Sequence, residues 1–158
     1  MGDALDLLPV EPGYKNVLRA RLAIMWLGMA AAATVAAFAL AEATRLAMLL
    51  PLAVLLAGLV IVAVAPARIY RRLRYGLSER LLQVVRGWLF HTDTVVPLVR
   101  VQHLDVVRGP FDKMFGTATL VLHTAGTHNS TVTVPGLAPD RAAAMRDIIR
   151  EHVRTDFA

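Results

Sequence analysis

The chain has no cysteine among its 158 residues. That excludes disulfides, thiolate metal sites and a cysteine nucleophile. Aromatic side chains make up only 6% of it, and neither an aromatic ribonucleoprotein motif nor a recognisable reading helix is present, so nucleic acid is not an expected partner. Phosphate-cradling glycine loops are missing as well. The five histidines, His91, His103, His123, His128 and His152, lack the helical spacing of a metalloenzyme pair. His123 and His128 offer at most two ligands across a turn, and a zinc site needs more. His103 and Asp105, two apart, share one face of a strand and read as a polar structural pair as readily as an acid–base pair. No catalytic residue, cofactor site or metal site is therefore expected.

Charge is absent where its absence says most. Leu22 to Ala41 and Leu46 to Ala65 are two blocks of 20 residues without one ionisable side chain, separated only by Glu42-Ala43-Thr44-Arg45. Twenty residues at about 1.5 Å each match a hydrocarbon core about 30 Å thick. The expected structure is a transmembrane helical hairpin. Lys15, Arg19 and Arg21 precede it, and Arg68, Arg71, Arg72 and Arg74 follow it. Cations mark the cytoplasmic side, so both termini are expected inside and the linker outside. The early basic residues and Ala39-Leu40-Ala41 also fit a signal peptide, the competing reading.

Residues 1–65 sum to zero charge, so the formal +5 belongs to the region from Pro66 onward. Arg68, Arg71, Arg72, Arg74 and Arg80 are the candidate contacts to anionic lipid headgroups, at about 1 kcal/mol per cation near the surface. The positive-inside rule alone accounts for most of them. In the first span, Gly28, Ala32 and Ala36 recur every four residues. Small residues at this spacing let another helix approach closely, either the second span or a partner. Pro51, one turn into the second block, fits a helix start.

Past the arginines the periodicity becomes strand-like. Leu81 to Val85, a further strand beginning at Trp88-Leu89-Phe90, then Val95-Val96, Val101 to Val107, Thr117 to Thr124 and Thr131 to Val134 are separated by Arg86-Gly87, Gly109-Pro110, the polar turn Ala125 to Ser130, and Pro135-Gly136. One helical turn is expected at Phe111 to Phe115. Pro139 opens a terminal helix whose apolar face carries Ala142, Met145, Ile148, Ile149, His152 and Val153. Phe115, Leu120, Ile148 and Ile149 are the expected core residues. The expected divisions are a tail over 1–21, the hairpin over 22–65, a basic juxtamembrane segment over 66–74 and an α+β module over 75–158.

The run Val101-Gln102-His103-Leu104-Asp105-Val106-Val107, then Gly109-Pro110-Phe111, then Phe115-Gly116-Thr117-Ala118-Thr119-Leu120 and Thr124-Ala125-Gly126 resembles the bacterial pleckstrin-homology-like family, in its membrane-anchored YdbS-like group. Arg86-Gly87, Val96-Pro97-Leu98 and Pro135-Gly136-Leu137 extend the resemblance to about Tyr75–Leu137. It implies a strongly bent barrel of about seven strands, or a pair of orthogonal sheets, capped by the terminal helix. It also implies a bacterial inner-membrane protein without a known activity, whose expected partners are the anionic bilayer and another membrane protein, for instance a larger relative with repeated modules. The motif residues themselves suit turns and packing.

Overall fold

The computed structural model describes residues 6–40, 49–88, 90–125 and 131–155, the side chains of 153–155 excepted. It resolves into two compact units, Lys15–Arg68 on one hand and Met1–Tyr14 with Ile69–Ala158 on the other.

The first unit is the helical hairpin. Helix α1 spans Gly13–Leu40 and α2 spans Leu49–Arg72. Their 28 and 24 residues correspond to roughly 42 and 36 Å, enough to cross the hydrocarbon with turns to spare. Only 17% of each apolar window is buried inside the structure, so these helices turn hydrophobic surface outward. A soluble core helix does the reverse. Trp26, Ala30, Ala33 and Ala37 lie on one face of α1, and the three alanines are buried. Opposite them Gly58 of α2 is buried; a Cβ there would stand 3.0 Å from Cβ and Cγ of Trp26. The glycine makes room for the indole. Pro51 is the third residue of the described part of α2. Pro66, expected to open a separate juxtamembrane segment, instead sits buried inside α2, and the helix runs on through Arg72. The surrounding turns carry the helix past the one backbone donor that proline lacks.

The second unit holds two antiparallel sheets and two helices. Strands β1 (Leu8–Pro9), β2 (Arg74–Leu77), β3 (Leu81–Arg86) and β4 (Thr92–Pro97) form one sheet in that order. After a 3-10 turn at Leu98–Arg100, β5 (Val101–Val107), β6 (Ala118–Thr124) and β7 (Thr131–Leu137) form the second. Helix α3 (Pro110–Met114) joins β5 to β6, and α4 (Pro139–Thr155) follows β7. Period-two alternation sends Leu82 and Val84 from β3, Ala118, Leu120 and Leu122 from β6, and Val132 and Val134 from β7 into the core. Helix α4 packs on β5, β6 and the 3-10 turn through Ala142, Met145 and Ile149.

Several sequence expectations change here. The two sheets, of four and three strands, do not close into a barrel. The segment opening at Trp88 is the connection between β3 and β4, not a strand, because Gly87 adopts φ 150° and turns the chain. Ile148 is 47% exposed while its neighbour Ile149 is fully buried, and Phe115 is only part-buried. The expected polar turn overlaps residues 126–130, which lie outside the described residues.

The tail ahead of the first span also proves structured. Leu8 pairs with Tyr75 and Pro9 with Arg74; proline is tolerated because β1 is an edge strand. Val10 and Tyr14 are buried. The Glu11 amide donates to the Gly136 carbonyl at 2.7 Å. Gly136 has φ 75°, and a Cβ on it would lie 2.6 Å from Cγ of Tyr14. The segment just before α1 is thus part of the β module's core.

Candidate functional site

The five candidate arginines are all exposed. Arg68 lies in α2, Arg71 and Arg72 occupy its last turn, and Arg74 opens β2. Cations in a last helical turn suit the negative end of the helix dipole. The register pairs Arg74 with Val85 and Leu77 with Leu82, so Arg80, in the β2–β3 turn, stands at the other end of the sheet, roughly 13 Å away for four residues of strand. Arg71, Arg72 and Arg74 are therefore brought together and Arg80 is not. Arg80 lines an open cleft of about 350 Å³ with Glu79, Leu98, Val99 and His152.

The spaced small residues of α1 do not form the seam of the hairpin. Gly28, Ala32 and Ala36 are exposed, and nothing lies within 4 Å of a Cβ built on Gly28. The buried register is Ala30, Ala33 and Ala37 with Trp26, shifted round the helix. The bulk of Trp26 and the smallness of Gly58 select it, a pairing between two spans that spacing within one span does not reveal.

On the outer face of the second sheet, Asp105 gathers two imidazoles. Its carboxylate lies 3.1 Å from His103 Nε2 and 3.6 Å from His123 Nε2, because His103 and His123 are direct cross-strand partners. Thr131 Oγ1 and His123 Nδ1 are 3.3 Å apart. His103 is 70% exposed at its side chain, so this cluster stands open to water. Among the described residues no group of three His, Cys, Asp or Glu side chains is arranged to hold a metal ion. His128 lies outside the described residues.

The Gly109–Thr117 stretch that carries the resemblance is organised by a buried carboxylate the sequence did not single out. Asp112 is 2% exposed and Thr117 fully buried. Thr117 Oγ1 donates to Asp112 Oδ1 at 2.8 Å, and the Gly109 amide donates to Oδ2 at 3.1 Å. The Thr117 amide donates to the Asp112 carbonyl at 2.8 Å, and Arg108 Nε to the Thr117 carbonyl at 3.3 Å. A buried carboxylate must be satisfied in this way. Its role is to fasten α3 between β5 and β6.

Residues 22–153 match the family described as bacterial PH domain. The chain belongs to that family. Over 100 residues, 63% of its length, it is 34% identical to the UPF0699 transmembrane protein YdbS of Bacillus subtilis (strain 168), and the matched part spans 61% of that relative. No solved structure matches. The match includes the apolar stretches of both helices and every strand of the two sheets except β1, so the bacterial PH domain protein is a membrane protein with transmembrane helices joined to a PH-like module.

Proposed function

We propose that this bacterial PH domain protein is a non-enzymatic, membrane-anchored subunit or scaffold of a membrane protein complex in the bacterial inner membrane, with both termini in the cytoplasm. The observation that carries the reading is the uncovered face of α1. Gly28, Ala32 and Ala36 are exposed while another set of alanines is buried. Alanine and glycine facing lipid contribute little apolar area, whereas the same residues against a partner helix permit close backbone approach. The β module adds a second surface. In its three-strand sheet β5 pairs on one side only among the described residues, and an unpaired edge accepts another strand. A larger membrane protein with related modules suits both surfaces.

Pairing of β1 with β2 supports placing the first residues and the β module on one side of the membrane, and the arginines support that side as cytoplasmic. Replacing Gly28 and Ala32 together by Leu is expected to abolish co-purification of the partner in mild detergent while leaving the thermal unfolding of the β module unchanged. A chain that stays monomeric in mild detergent and after cross-linking in native membranes overturns the proposal.

A second reading, a module that handles anionic lipid, is favoured by Arg71, Arg72 and Arg74 at one end of the sheet. Exchanging the three for Gln is expected to reduce the anionic lipid that co-purifies with the full chain, and raised salt to do the same by screening. Retention that ignores salt and distinguishes headgroups of equal charge would place a structured lipid site above the scaffold reading.

A further inference from the structure

We propose that the β3–β4 connection, led by Trp88 and Phe90, dips into the interfacial layer of the bilayer that the hairpin crosses and gives the β module an attachment of its own. Phe90 is 83% exposed, the most exposed large apolar side chain among the described residues. Trp88 is part-buried beside it, and Leu89 between them lies outside the described residues. The presentation is built into the backbone. Gly87 has φ 150°, and a Cβ on it would collide with the Phe90 carbonyl oxygen, so the turn needs glycine there.

Strand register fixes where this tip lies. Arg86 pairs with Thr92 and Val85 with Arg74, so the connection projects from the end of the sheet at which β2 begins. Arg74 is two residues beyond Arg72, the last residue of α2. Pro9 pairs with Arg74 as well, and from there the chain proceeds to the start of α1 at Gly13. Both chain connections to the spans therefore leave from the end that carries Trp88 and Phe90, while the β2–β3 turn with Glu79 and Arg80 lies at the other end.

Chemistry selects lipid as the occupant. Tryptophan prefers the membrane–water boundary. Arg71, Arg72 and Arg74 share this end and suit anionic headgroups.

The test uses the full chain in vesicles of mixed neutral and anionic phospholipid. In a Trp26→Phe background Trp88 is the sole tryptophan. Its emission is expected to be blue-shifted, quenched by lipid brominated in the upper acyl chain and shielded from acrylamide. A Glu79→Trp variant lacking both native tryptophans is expected to show the opposite pattern. Phe90→Asp should abolish the bromolipid quenching of Trp88, while Trp26 in a Trp88→Phe, Phe90→Asp chain stays quenched because the hairpin remains inserted. An independent measurement keeps Trp26: Phe90→Cys carrying a polarity-sensitive fluorophore, in a chain with no other thiol, should report an apolar environment that Glu79→Cys does not. Equal acrylamide access at Trp88 and Glu79→Trp overturns the proposal. So does shielding of Trp88 without bromolipid quenching, which is the signature of a protein contact.

Discussion

Thr117 is polar in a fully buried position, and its cost is met by one neighbour. Replacing it with Val keeps the shape but leaves Asp112 Oδ1 without its hydroxyl donor. Stability is expected to fall by about 1 to 3 kcal/mol, the cost of removing one partner from a buried hydrogen bond to a carboxylate, with Thr117→Ser recovering most of it. Denaturant unfolding of the full chain in detergent measures both. A second contrast separates neighbours on α4. Ile149→Ala is expected to cost about 2 to 5 kcal/mol because the site is fully buried. Ile148→Ala should cost less than half as much, since that side chain is 47% exposed. At Gly136 a Cβ meets both a left-handed φ and the Tyr14 ring, so Gly136→Ala should lower the melting temperature and loosen the segment before α1. Sequence periodicity placed Leu120 and Ile149 correctly because each lies in an unbroken pattern. It could not separate Ile148 from Ile149, which are adjacent at the margin of one helical face and are told apart only by the sheet beneath them.

At the scale of elements, legibility tracked how local the physics is. The two apolar blocks, the strands β5 and β6 and the terminal helix declare themselves through composition and period. By contrast, β1 is two residues long and contains Pro9, so no pattern announces it; its existence depends on an edge 67 positions downstream. The connection at Trp88 has the apolar composition of a strand, but the Gly87 turn leads the chain out of β3 and leaves Phe90 exposed. Among the site residues, the arginines were legible as a cationic stretch, but only register divides Arg80 from Arg74. The small-residue stripe was legible as a spacing, whereas the seam of the hairpin was set by Trp26 against Gly58. Deleting the residues ahead of Val10 is expected to speed hydrogen exchange at the β2 amides that face β1, without affecting β6. Unchanged protection across Arg74–Leu77 would remove β1 from the sheet.

For the whole molecule, the proposed topology makes a direct prediction. With no native cysteine, Thr44→Cys, in the linker outside the described residues, should react with a membrane-impermeant thiol reagent in intact cells, while Asp140→Cys should react only after lysis. The reverse pattern rejects the assigned side. The residues before α1 belong to the same compact unit as Ile69–Ala158, and this bears on how the protein is made. The first strand leaves the ribosome before either span, and its partner leaves after both. The sheet can be completed only if the intervening segment has crossed the bilayer an even number of times. A chain that inserts one span, or inserts the pair with its ends divided, is left with the β2 edge that β1 covers bare. Under the proposed topology, pairing of β1 with β2 is therefore open only to a chain whose two spans have both been inserted.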